Sequence, residues 1–227
     1  MKKVLLAALM ALVAVPSFAA PDDDALFTSS NGVVQFDMAS HIGYGYHFVK
    51  SADFKPNWSG EIFFNVLKIG IYPAEVLGIE MNVDCLFNNF NSKTAVFSLD
   101  KDKLVHATDF SEVVPSGYEK SRGGLNVFSL STPVLLKGIF GDFEVGVGAE
   151  ASFNLVGDVY HRYRKDNVRT RIDESKAKVN PFSYGFVATF SHNDAGIFFK
   201  YYPKSSRLLP EGSVDLSYMT LGIAFGF

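Results

Sequence analysis

The chain has 227 residues, a formal net charge of −3, 48% hydrophobic residues and 15% aromatics, 22 of them Phe. Mild acidity excludes a global nucleic-acid footprint, and a single cysteine, Cys85, excludes an internal disulfide framework. The apolar surplus is heavy for a soluble domain, yet beyond the amino-terminal segment there is no apolar run of about 18 residues, as a spanning helix needs.

Residues 1–19 carry the three zones of a secretory signal. Lys2 and Lys3 supply the positive end, Val4 to Val15 is apolar and uncharged, Pro16 ends the run, and Ser17-Phe18-Ala19 is a small-x-small cleavage site. Cleavage after Ala19 leaves residues 20–227 as one domain. Cys85 lies far from that site, which excludes lipid attachment at an amino-terminal cysteine.

From Val34 to Phe48 the even positions read Val, Phe, Met, Ser, Ile, Tyr, Tyr, Phe, and the odd ones Gln, Asp, Ala, His, Gly, Gly, His. Alternation of that kind is a strand with one apolar and one small or polar face. Ile62 to Tyr72 is a second strand whose phase changes near Leu67, as a bulge would cause. Glu75–Phe87, Leu125–Leu136, Phe143–Leu155, Phe182–Phe190, Ile197–Tyr202 and Val214–Phe227 complete eight. The connections Tyr72–Glu75, Lys137–Asp142 and His192–Ala195 are short. Asn88–Gly124 and Gly157–Asn180 are long; Lys50–Asn57 and Pro203–Gly212 are intermediate.

An all-β, antiparallel, up-and-down transmembrane β-barrel of about eight strands follows. Short turns on one side, longer loops on the other and an even strand number are the pattern of bacterial outer-membrane barrels. A barrel of eight strands is only just wide enough to be filled by side chains. The Phe- and Tyr-rich face therefore points outward, to lipid, and the Gly, Ser, Asn and Glu positions point inward.

The last residues, with Thr220, Gly222, Phe225 and Phe227, resemble the terminal assembly signal of outer-membrane barrels. Such a signal is an edge strand that pairs with the barrel-assembly machinery by β-augmentation. Over nearly the whole mature chain, Phe128-Ser-Leu-Ser-Thr-Pro-Val-Leu-Leu-Lys137, Gly146-Val-Gly-Ala149 and Ser152-Phe-Asn154 resemble the PorT-like outer-membrane β-barrel domain family. That resemblance implies a small outer-membrane barrel. It implies no reaction and transfers no functional residue.

The sequence provides no catalytic set. None of the five histidines begins the His-x-Ser pair of lipid A deacylases; His106-Ala107-Thr108 is a weak substitute in a long loop, and a palmitoyl-transferase-like Asp-Ser-His arrangement is likewise missing. No cofactor or metal is expected. His41 and His47 share a strand face but stand roughly 20 Å apart along it. Asp37, His41, Glu80, Asp84, Glu144 and Glu150 are read as a polar lumen plug, with Lys68, Lys200 and the histidines as partners. Arg162, Arg164 and Arg169, within an Arg- and Tyr-rich loop, are candidates for contact with outer-membrane lipid phosphates; Asp166, Asp173 and Glu174 in the same loop offer a competing balance. Loop 88–124 carries a protruding hairpin turning at Asp100-Lys101-Asp102-Lys103. The expected function is structural or loop-mediated surface binding of an external ligand by a non-enzymatic outer-membrane protein. The alternatives are a lipid-modifying outer-membrane enzyme and a small channel or carrier for hydrophobic compounds.

Overall fold

The computed structural model describes residues 27–28, 34–74, 76–114, 116–117 and 120–226. The signal segment 1–19 and Phe227 lie outside them. After a two-residue strand β1 (Phe27–Thr28) come β2 (Val34–Met38), β3 (Ile42–Lys50), β4 (Gly60–Ala74) and β5 (Leu77–Ser92). The chain continues through β6 (Ala95–Leu99), β7 (Val105–Asp109), β8 (Lys120–Phe140), β9 (Phe143–Lys165), β10 (Val168–Ala177), β11 (Phe182–His192), β12 (Ala195–Tyr201) and β13 (Ser217–Phe225).

β2 and β3 form one bent strand, since both pair with β4, at Val34↔Ile71 to Met38↔Leu67 and at Ile42↔Phe64 to Tyr46↔Gly60. The bend lies at Ala39, whose φ is +53°, and Ser40 Oγ donates to Asn65 Oδ1 at 2.9 Å. Opposite it, β4 carries the expected bulge, a register shift between Asn65 and Leu67. From this strand the sheet runs through β4, β5, β8, β9, β11, β12 and β13, each antiparallel to the next. It closes where β13 meets β3, from Ser217↔Lys50 to Phe225↔Ile42. The result is a closed, eight-stranded, up-and-down barrel.

The faces are sorted as alternation requires. Phe36, Tyr44, Ile62, Ile79, Val134, Val147, Phe186, Phe199 and Leu221 are exposed on the exterior, while Asp37, His47, Glu61, Glu80, Lys137, Glu150, Lys200 and Thr220 are buried inside. Glycine makes room for the larger interior groups. A Cβ at Gly222 would lie 2.3 Å from the Phe198 ring, and one at Gly43 would lie 2.2 Å from Phe63. Pro133, which has no N–H to donate, coincides with a gap in the β5–β8 register between Met81↔Val134 and Asp84↔Ser131.

One end of the barrel has tight turns at Gly141–Asp142 and Asn193–Asp194 and the short link between β4 and β5. The other is built up, and here two expectations are corrected, with a third, Lys137, at the short-turn end. Residues 157–180 are not a loop: β9 runs on to Lys165 and pairs with β10 on one side and with β8 on the other. The sequence concealed this because a bulge at Leu155 reverses the phase, between Phe128↔Val156 and Ser129↔Asn154. The β6–β7 hairpin does turn at Asp100–Lys103 but does not protrude. Its Phe97 and Val105 are buried with Phe54, Phe90, Leu125, Val159, Leu208 and Tyr218, which together close the mouth. Lys137 is not in a turn but inside β8, buried in the lumen.

Candidate functional site

Two polar arrays stand out, one inside the barrel and one on the outer surface of its built-up end. Inside, Lys200 Nζ lies 3.0 Å from Glu61 and 2.9 Å from Glu150, and over the rings of Phe63 and Phe198 at 5.1 and 5.5 Å. Glu150 also accepts from the Tyr202 hydroxyl at 2.6 Å. Nearer the short-turn end, Lys137 Nζ lies 3.4 Å from Glu80 and 2.9 Å from the half-exposed Glu144. Lys68 lies 3.7 Å from Asp37, and Asp84 accepts from Asn65 Nδ2 at 2.9 Å.

All six residues of the expected plug therefore face the lumen or its rim. Lys68 and Lys200 stand beside carboxylates, and His41 and Glu80 line the same small void. His41 Nδ1 is 3.0 Å from Ser40 Oγ; His47 bonds Thr220 Oγ1 at 2.8 Å and Asn88 Oδ1 at 3.1 Å. Lys137 and Glu61 were missed, one assigned to a turn and the other lying one residue before the expected strand start. The void between His41, Asn82, Asp84, Leu135, Phe198 and Lys200 measures about 30 Å³, on the order of one water's share of the liquid. Among the described residues no group of three His, Cys, Asp or Glu side chains is placed to hold a metal ion. His106 lies on the hairpin, 3.0 Å from Asp100.

Thr220 and Gly222 face inward, against His47 and Phe198, and Phe225 faces out, 53% exposed. Phe227 lies outside the described residues.

The outer array is set by register. Past the Leu155 bulge, Val159 and His161 face inward, so Tyr160, Arg162 and Arg164 continue the exterior wall. Arg162 stands directly opposite Arg122 of β8 and Arg171 of β10, and Arg164 opposite Arg169. Arg122 is fixed from below: Nε donates to Asn91 Oδ1 at 2.9 Å and Nη2 to the Trp58 carbonyl at 3.3 Å. Tyr160 donates to the same Asn91 oxygen at 2.6 Å, and the Arg171 guanidinium stacks over the Tyr160 ring at 4.7 Å. A groove of about 910 Å³ runs along this face, lined by Asn57, Lys93, Arg122, Arg162, Arg164 and Arg169. The structure thus brings together the three arginines singled out in the sequence and adds Arg122 and Lys93, which lie in what the sequence presented as a separate loop. Only the β8–β9 register reveals Arg122 as their neighbour.

No family model matches the chain, and no curated protein matches it. Among solved structures it is similar to Ail, the attachment invasion locus protein of Yersinia pestis, with 13% identity, a TM-score of 0.37, and coverage of 86% of this chain and 97% of that one.

Proposed function

We propose that this chain is an integral β-barrel protein of a bacterial outer membrane, without enzymatic activity, that binds at the outer surface of its built-up end. The observation that carries the reading is the inversion of polarity. Lysines and carboxylates lie inside, and large apolar side chains are exposed on all eight strands. In water such a belt would be a large aggregation-prone patch; against acyl chains it is the expected surface.

Its height supports the same reading. On β5 the outward residues Leu77 to Phe87 cover roughly 33 Å along the strand, about 25 Å vertically at a tilt of ~40°. Aromatics mark the upper edge: Trp58 Nε1 donates to the Tyr44 hydroxyl at 3.0 Å, Tyr46 packs edge-on against Trp58, and Phe153 against Phe182. The short turns would face the periplasm and the built-up end the exterior. A lumen occupied by ion pairs, and a mouth closed by the hairpin cluster, favour a non-conducting barrel over a channel or carrier.

Heat-modifiability tests this reading. A closed barrel with every strand paired resists detergent until boiled, so protein from isolated outer membranes should change gel mobility between unheated and boiled samples. Identical mobility, or recovery in the soluble periplasmic fraction, would refute it.

A further inference from the structure

Two of the acids expected to balance the arginines, Asp173 and Glu174, are engaged elsewhere than at Arg122, Arg162 and Arg169. Asp173 is engaged by Arg171, which donates from Nε and Nη2 at 2.7–3.0 Å. Glu174 lies on the opposite face, where it accepts from the Leu99 amide at 3.2 Å. Asp158 accepts from the Lys176 amide at 3.2 Å. Among the described residues no carboxylate pairs with Lys93, Arg122, Arg162 or Arg169.

Like charges directly opposite one another weaken a sheet, and here three arginines form one cross-strand row. Partial desolvation, with Arg122, Arg169 and Arg171 close by, holds the Arg162 guanidinium below its ordinary pKa. An incoming anion would relieve that repulsion. The Asn91, Trp58 and Tyr160 contacts already hold the floor of the groove, so little ordering would remain to be done on binding.

Position on the wall narrows the class of anion. Arg122 follows Phe128 up the exterior of β8, and Arg162 follows Val156 up β9. Each step is about 20 Å along the strand, or ~15 Å above the apolar edge at the same tilt. That is higher than acyl chains reach and level with the sugars of a glycolipid whose chains pack against the wall below. The groove is far larger than one phosphate needs.

From this placement we propose that the basic face binds the phosphorylated or acidic sugars of a glycolipid held in the same leaflet, in preference to a soluble polyanion. The proposal rests on the outer-membrane reading above. Planar guanidiniums suit phosphate and carboxylate groups, which they can grip through two parallel hydrogen bonds.

Trp58 is the single tryptophan of the chain and its carbonyl accepts from Arg122; a change in its fluorescence counts as groove binding only where Arg162→Gln/Arg169→Gln diminishes it. Protein in phosphatidylcholine nanodiscs is titrated with lipopolysaccharide bearing a phosphorylated core, with lipid A lacking the core, and with inositol hexakisphosphate. The wild type should bind the phosphorylated-core glycolipid at least about tenfold more tightly than either other probe. Arg162→Gln/Arg169→Gln, which spares the Arg122 contacts, should lose about tenfold in affinity for that glycolipid and much of its salt sensitivity. Equal affinity of variant and wild type, or lipid A binding as tightly as the full glycolipid, would overturn the proposal. Inositol hexakisphosphate binding as tightly would reassign the face to soluble polyanions. Heat-modifiability of the same preparations separates the two claims: its loss in the wild type sinks the membrane reading, whereas unchanged binding by a heat-modifiable variant sinks this proposal alone.

Discussion

Lys200 and Glu150 meet at 2.9 Å in the middle of the barrel, both buried, with Glu61 on the other side of the same ammonium. One cation thus serves two carboxylates on β4 and β9. Removing one partner of a buried pair leaves uncompensated charge, which costs about 3–5 kcal/mol. Lys200→Met should lower the temperature at which the unheated gel form converts to the boiled one. Adding Glu61→Gln and Glu150→Gln should recover much of the loss, since a neutral, hydrogen-bonded lumen has no charge to compensate. A triple variant weaker than Lys200→Met alone would show that the carboxylates matter for reasons other than this pair.

Gly43 and Phe63 provide a steric counterpart. The Phe63 ring occupies the space a Cβ at Gly43 would need, with its nearest atoms 2.2 and 2.4 Å away, and the three nearest atoms all belong to that ring. Gly43→Ala should destabilise the barrel by about 1–3 kcal/mol, the usual cost of overpacking. Phe63→Leu should restore a good part of it in the double variant. Additive losses, measured by denaturant unfolding in detergent, would mean that the clash is relieved elsewhere.

The number of strands, their order and the face of most residues were legible because a period of two is simple to read and eight apolar faces agreed. Strand ends were not. Glu61 precedes the first clearly alternating residue of its strand. Lys137 follows a Leu-Leu pair and precedes glycine, so it resembled a turn residue, and only the carboxylates of Glu80 and Glu144 on other strands explain its burial. In Tyr160-His161-Arg162-Tyr163-Arg164 neither face is apolar and the Leu155 bulge reverses the phase, so no alternation signal marked a strand.

The hairpin over the mouth should respond to acid. The His106 side chain, with the amides of Leu104 and Asp102, holds the Asp100 carboxyl below the ordinary carboxylate range. A depressed folded-state pKa contributes stability that is present above the unfolded value and lost as pH falls through the folded one. Amide exchange across Ala95–Asp109 should therefore quicken relative to the barrel strands below the ordinary carboxylate range. In Asp100→Asn that acid step should be diminished; an identical acid step in the variant would assign it to another group.

Of the proposed assembly signal, Thr220 and Gly222 have structural partners inside the barrel and Phe225 faces out. Phe227→Asp should lower outer-membrane levels more than a charge reversal in a loop, such as Lys204→Glu. Normal levels of Phe227→Asp would remove the terminal aromatic from the signal.

The orientation of the barrel in the membrane can be read from two cysteines placed singly in a Cys85→Ser background, one at Lys165 at the tip of the β9–β10 hairpin and one at Gly141 in the β8–β9 turn. On intact cells an impermeant maleimide should label the Lys165 position, and the Gly141 position only after the outer membrane is permeabilised. Equal labelling of both on intact cells, or the reverse order, would contradict a barrel that crosses the outer membrane with its arginine face outside.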